Sequence, residues 1–238
     1  MIIFAVFIFI FNFLIANLYF TSFKVSMNNI SNNNLNFKSN IHFVSSPNFD
    51  KQMFRSYFYC SSKKPLMDSM LKGGDIWTQR VRTCSAGGLV DNKGALGFHF
   101  FNCLETIKKV KEDLIPIIQK ENWKTKSALL IGAKRICEDS PMLFGAVLEK
   151  LKEVVHPSYF KIFKNIYSEC DIGYDKPSDS WFINLTVPKD DSRHHIPKDV
   201  LTLEELQNDF EEIKIAPQDK LFINGKEIKK SDAPEIFE

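Results

Sequence analysis

Hydrophobic and polar positions divide the chain into three stretches. Residues 1–23 are almost continuously apolar, with no charged side chain before Lys24, a run long enough to span a bilayer. Residues 24–50 are rich in Asn and Ser, with Asn28-Asn29 and Asn32-Asn33-Asn34 among them; such a composition buries too little apolar surface to order itself and reads as a linker. From about Met53 the apolar positions become periodic. Val81–Val90 and Ala95–Phe101 are short apolar runs joined by the turn formers Asp91-Asn92-Lys93-Gly94, which predicts a β-hairpin. Leu104, Ile107, Val110, Leu114, Ile115 and Ile118 recur at helical spacing, and Pro116 within them predicts a kink or an early end. Residues 127–133 read as a buried strand. Ser140-Pro141 then opens a helix whose core stripe is Leu143, Phe144, Val147, Leu148, Leu151 and Val155. Residues 159–167 and 180–187 alternate as strands do. Thr202-x-x-Glu205 is a capping box for a helix reaching about Ile213, and Leu221–Ile228 turns on Asn224-Gly225 as a two-residue hairpin.

Strands alternating with helices predict an α/β domain over residues 51–188. Residues 189–238 read as a small α+β extension of helix and hairpin. It is a substrate- or partner-binding addition, a lid, or a packing extension of the core. The apolar run at residues 1–23 has neither a basic leading segment nor a clear cleavage site. A membrane anchor, an atypical secretion signal and a translated leader upstream of Met27 all fit it; its seven phenylalanines add some weight to the last.

Charge narrows the class of partners. Lys and Arg number 31 against 29 Asp and Glu, a net charge of +2, so no nucleic-acid surface is expected. The five cysteines, Cys60, Cys84, Cys103, Cys137 and Cys170, are odd in number and scattered. They predict reduced thiols in a reducing compartment, and neither a disulfide framework nor a zinc site. His194 and His195 adjoin two aspartates in Lys189–His195, but without a spaced partner this reads as a solvated charged linker. No metal and no cofactor is expected.

Cys84 and His99 stand fifteen residues apart on the two arms of the predicted hairpin. A thiol attacks a carbonyl as the thiolate, and an imidazole can take its proton and return it to the leaving group. Thr78, or a backbone carbonyl, would fix the imidazole's tautomer. Arg80 and Arg82 add positive charge nearby. The amides around Ser85, Ala86, Gly87 and Gly88 are candidates for an oxyanion hole. Against this stands the ordinary behaviour of cysteine as a small buried hydrophobe. Cys60, in Tyr57-Phe58-Tyr59-Cys60, is a second nucleophile candidate with no histidine close in sequence.

The stretch from Thr78 to His99 resembles the CheD-like protein deamidases, the superfamily that includes the cytotoxic necrotizing factor catalytic domains. Thr78 stands six residues before Cys84, as a Thr does in the chemoreceptor branch, and Gly94-Ala95-Leu96-Gly97-Phe98-His99 is similar to its Gly-Gly-Met-x-His. Ala128–Ala133, Asp171-Ile172-Gly173 and Trp181–Val187 follow in the family's order, so the likeness spans roughly residues 74–188. Where the chemoreceptor branch opens its helix with Ile-Gly-x-x-Asn, this chain has Glu138-Asp139-Ser140-Pro141, and only Gly173 remains of a paired glycine.

The resemblance implies a layered α/β sandwich with mixed sheets. It implies a cysteine hydrolase that deamidates glutamine side chains of a protein substrate, with Cys84 as nucleophile and His99 as general acid and base. Transglutamination is the neighbouring reaction, and a catalytically inert binding module on the same fold is the alternative. The catalytic domain would work in a reducing compartment, membrane-anchored or as a secreted effector acting in a cytosol. Catalysis predicts a Cys84 sulfur within hydrogen-bonding reach of a His99 ring nitrogen.

Overall fold

The alternating apolar positions fold into two mixed sheets. The structure, a computed structural model, describes residues 38–44, 56–57, 70–101, 104–132, 140–164, 166–188, 195–197 and 202–237. The first sheet runs β14 (Lys226–Ile228), β13 (Lys220–Ile223), β1 (Asn40–Val44), β10 (Ser180–Pro188), β9 (Glu169–Asp175), β4 (Ile76–Val81) and β2 (Ser56–Tyr57), and β11 (His195–Pro197) also pairs with β10. The second runs β12 (Glu212–Lys214), β8 (Phe160–Lys164), β7 (Ser127–Gly132), β5 (Ser85–Val90), β6 (Ala95–Phe100) and β3 (Met70–Gly73). The remaining elements are α1 (Leu104–Lys109), a π segment (Val110–Leu114), α2 (Ile115–Lys120), α3 (Ser140–Lys152), α4 (Leu203–Asp209) and two 3-10 turns, Pro157–Tyr159 and Pro234–Ile236. The described residues all belong to one compact unit, Phe37–Glu238.

Three layers follow from which side chains alternate inward. Ile76, Ile172, Tyr174, Trp181, Ile183, Ile41 and Phe43 of the first sheet meet Ala86, Val90, Ala95, Leu129, Ile131 and Phe163 of the second. The intervening residues of the second sheet, Leu89, Leu96, Phe98, Phe100, Ala128 and Leu130, pack on the helices through Val110, Leu114, Phe144, Val147 and Leu151. A strand buried on both faces needs a continuous apolar run, which is why β5, β6 and β7 read as runs rather than as alternations. Glycine closes the layers. A Cβ on Gly88 would lie 2.9 Å from the Trp181 ring carbon Cη2, so the large indole fits only because that side chain is missing.

The fold is thus mixed α/β in sandwich layers, as expected, with several differences in detail. The Asn/Ser-rich stretch read as a linker over residues 24–50 contains β1, which lies between β13 and β10 and pairs in parallel with both. The helix read over residues 104–121 survives Pro116: a π segment precedes it, with the Ile115 amide donating to the Val110 carbonyl, and the proline takes a first-turn position of α2, where its missing N–H costs nothing. The capping box opens α4 as predicted, with the Thr202 hydroxyl accepting from the Glu205 amide. That helix stops at Asp209, however, and Ile213 belongs to β12. The Asn224-Gly225 turn joins β13 to β14 with both residues at positive φ. Residues 189–238 complete both sheets: β12 is the edge beside β8, and β13 with β14 forms the edge beside β1. The apolar run 1–23, Cys60, Cys103, Cys137 and His194 lie outside the described residues. Among the described residues no helix is long and apolar enough to cross a membrane.

Candidate active site

The candidate site forms where the chain crosses from one sheet to the other. β4 pairs with β9 through Thr78↔Ile172 and Val81↔Cys170, so three steps on β4 match two on β9. This bulge centres on Gln79-Arg80, with Arg80 at φ 60°. Residues 78 and 81 of a regular strand would face opposite ways; the bulge turns both Thr78 and Val81 into the core. The Arg80 amide donates to Asp171 Oδ1 at 3.1 Å, which holds the bulge to β9. Residues 82–84 then bend across to the second sheet, where β5 begins at Ser85. Cys84 therefore stands in the crossover, one residue before the hairpin strand on which it was expected. Hydropathy reads Val81–Val90 as one run because both ends are buried, although they lie in different sheets.

β5 and β6 pair with Ala86 directly opposite His99. Cys84 lies two residues before Ala86, in the bend that leads into β5. Thr78, fully buried on β4, meets His99 from the opposite sheet: its Oγ1 lies 2.8 Å from His99 Nδ1. The two sheets thus bring Thr78 to His99, with Cys84 in the bend that joins them. His99 Nε2 is buried and makes no hydrogen bond, so the expected thiol–imidazole bond to Cys84 is not closed in this structure. Cys84 is 6% exposed and His99 2%. Catalytic hydrogen bonds are often long in an unliganded site and tighten with substrate.

The crossover is clamped from the second sheet. Gly132, the last residue of β7, has φ 134°, and a Cβ there would lie 1.9 Å from the Cys84 carbonyl oxygen. Only glycine lets the end of β7 approach the Cys84 backbone this closely. Ser85, Gly87 and Gly88, expected to supply oxyanion amides, all lie within β5. β5 is flanked by β6 on one side and β7 on the other over its whole length, so the two ladders take up its amides. Gly87 serves the packing instead, since a Cβ there would meet the Leu129 carbonyl oxygen at 1.9 Å.

Charges around the crossover are of both signs. Arg82 Nη1 lies 3.4 Å from Glu169 Oε1, so the positive charge expected beside Cys84 is shared with a carboxylate. Cys170 faces the same interior. Burial pushes its thiol well above the ordinary value, and Asp171, Glu169, Asp209 and Cys84 push it the same way. Its sulfur is therefore held as the thiol. Among the described residues no three His, Cys, Asp or Glu side chains gather as a metal site. Two surface grooves, one beside Met70 and Pro116 and one between α4 and β12, are lined by none of Thr78, Cys84 and His99.

Sequence reasoning missed Gly132 as the clamp and Glu169 as the partner of Arg82. Neither leaves a local signal, because each acts on a residue far along the chain. Comparison with known proteins gave no match: no family model, no curated protein and no solved structure is similar to this chain.

Proposed function

We propose that the protein is a cysteine hydrolase of the CheD-like kind that deamidates glutamine side chains of a protein substrate. The observation that carries this reading is the buried Thr78–His99 hydrogen bond at 2.8 Å, which fixes the imidazole on the strand that pairs with β5, the strand Cys84 leads into. With Nδ1–H donating to Thr78, the lone pair resides on Nε2, the nitrogen with no other hydrogen bond. Nε2 takes the Cys84 proton, and the thiolate adds to the glutamine side-chain carbonyl carbon. Collapse of the tetrahedral adduct breaks the C–N bond. His99 gives the proton to the leaving nitrogen, so ammonia departs and a thioester remains. Nε2 then deprotonates a water that attacks the thioester, and the sulfur leaves and regains its proton. The net change is one amide and one water to one carboxylic acid and one ammonia. An amine in place of that water gives transglutamination.

The second reading is an inert binding module, and the near-complete burial of Cys84 together with the open thiol–imidazole bond favours it. One experiment decides between the two. The full chain and its Cys84→Ser variant are each incubated with a cell lysate, and ammonia release and glutamine-to-glutamate conversion are followed by mass spectrometry. Iodoacetamide labelling at mildly acidic pH is measured alongside, with Cys170 as the slow internal reference. Conversion that disappears in the variant, with Cys84 labelled far ahead of Cys170, is the expected result. Equal conversion by both proteins, with Cys84 as slow as Cys170, refutes the hydrolase and leaves the binding module.

A further inference from the structure

Among the described residues, the large apolar side chains left exposed are Phe101, Leu104, Met142 and Tyr167, with Leu104 at 72% and Met142 at 62%. The topology puts all four at one end of the sandwich. β6 ends at Phe100 opposite Ser85, so Phe101 and Leu104 follow immediately at the end where Cys84 enters β5. The Thr106 hydroxyl donates to the Phe101 carbonyl, which ties that residue to the first turn of α1. β7 ends at Gly132, also opposite Ser85, and β8 runs parallel to β7. The connecting helix α3 must therefore run back along the sheet, which leaves its first turn, with Met142, at the same end. β8 ends at Lys164 level with Gly132, and β9 begins one residue before Cys170, the partner of Val81. Tyr167 lies in the connection between them. Four large apolar side chains are thus left exposed at the end of the sandwich where Cys84 enters β5.

We infer that these side chains form an apolar collar that binds an apolar stretch of the substrate polypeptide on either side of its reactive glutamine. The inference rests on the deamidase reading above. Two observations fix the kind of occupant. Cys84 and His99 are almost wholly buried, so only a slender side chain on a flexible stem reaches them, while the polypeptide bearing it stays outside on the rim. Nearby charges are matched within the protein: Arg82 faces Glu169, and Lys164 faces Glu212 at 3.6 Å. Among the described residues these pairs carry both signs, and what this end adds is exposed apolar area.

Two matched short peptides test this, each with one central glutamine, one flanked by Leu and Phe and the other by Ser and Gly. Binding to the full-chain Cys84→Ser variant, which cannot turn them over, is measured by fluorescence anisotropy. The apolar-flanked peptide is expected to bind about tenfold tighter. Adding Leu104→Asp and Met142→Asp is expected to erase the difference without lowering Tm, since both side chains already face water. A Leu104→Gln, Met142→Gln pair gives the same comparison without added charge. Equal binding of the two peptides, or a preference that survives these substitutions, overturns the collar. With wild-type protein, the same preference is expected in kcat/KM for ammonia release. A binding preference with no ammonia released from either peptide overturns the deamidase reading and leaves the collar standing as a peptide-binding surface.

Discussion

Thr78 is the residue on which the site turns. A buried threonine on a central strand ordinarily satisfies its hydroxyl on nearby backbone, yet this one bonds an imidazole carried by the other sheet, 21 positions along the chain. Removing the hydroxyl has two separable effects. Thr78→Val keeps the shape but leaves Nδ1 of a buried ring without its partner, at a cost of about 1–3 kcal/mol in stability. If Thr78 also sets the tautomer, kcat for glutamine deamidation falls by about 10–100-fold. Thr78→Ser restores the hydroxyl and should recover most of the rate. The split between rate and stability identifies the role: a Thr78→Val protein with lowered Tm but unchanged kcat would reduce Thr78 to a packing residue. The choice of Thr78 and His99 as partners was open to sequence reading and the hairpin that carries His99 is a local structure, but the bulge and the bend that hold Thr78 and Cys84 left no such signal. The open Nε2 was not readable either, since it depends on where the crossover sets Cys84 relative to the ring.

At the scale of elements, the position of Cys84 depends on the end of β7. Gly132→Ala places a Cβ on the Cys84 carbonyl and also strains φ at 134°, so the crossover must move. We expect a loss of about 1–3 kcal/mol in stability and a changed rate of Cys84 alkylation. Gly145→Ala is the control. It sits inside α3 with no atom within 4 Å of the new Cβ, and should gain about 0.5–1 kcal/mol from helix propensity alone. Unaltered Cys84 labelling in Gly132→Ala would mean that β7 does not set the thiol's place. The elements whose signals are local were legible: the Thr202 box, the Asn224-Gly225 hairpin and the stripe of α3 all stand where the residues put them. β1 was not. Asn40-Ile-His-Phe-Val44 is short and follows an Asn-rich tract, and its strand character comes from pairing with residues 180–184 and 220–223. The bulge at Arg80 was equally hidden, because no glycine marks its positive φ.

The whole molecule depends on that distant pairing being secured. The carboxy-terminal segment was read as an extension, but its side chains bind the layers together. Phe210 packs edge-on against Phe43 of the first sheet and Phe163 of the second, with ring centroids 6.0 and 5.6 Å away. Lys161, on β8, reaches Asp219 just before β13 at 3.0 Å, with both side chains buried. Asp219 also accepts from the Ser39 amide at 3.0 Å and so fixes the entry to β1. Burial lowers the Lys161 pKa, and the charges of Asp219 and, less strongly, Asp179 oppose that shift, as expected of a buried ammonium held by the carboxylate bonded to it. Asp219→Asn strands the charge and should cost about 3–5 kcal/mol in chemical denaturation. Replacing the pair together, as Lys161→Met with Asp219→Leu, should recover much of that loss, because no buried ion is then left alone. Below its lowered Tm, Asp219→Asn should keep the wild-type kcat, since the pair touches none of Thr78, Cys84 and His99. A cost below about 1 kcal/mol, in the range of an exposed pair, would make the tail an appendage after all. The full cost would make β1 and the carboxy-terminal strands a single clasp across the two sheets.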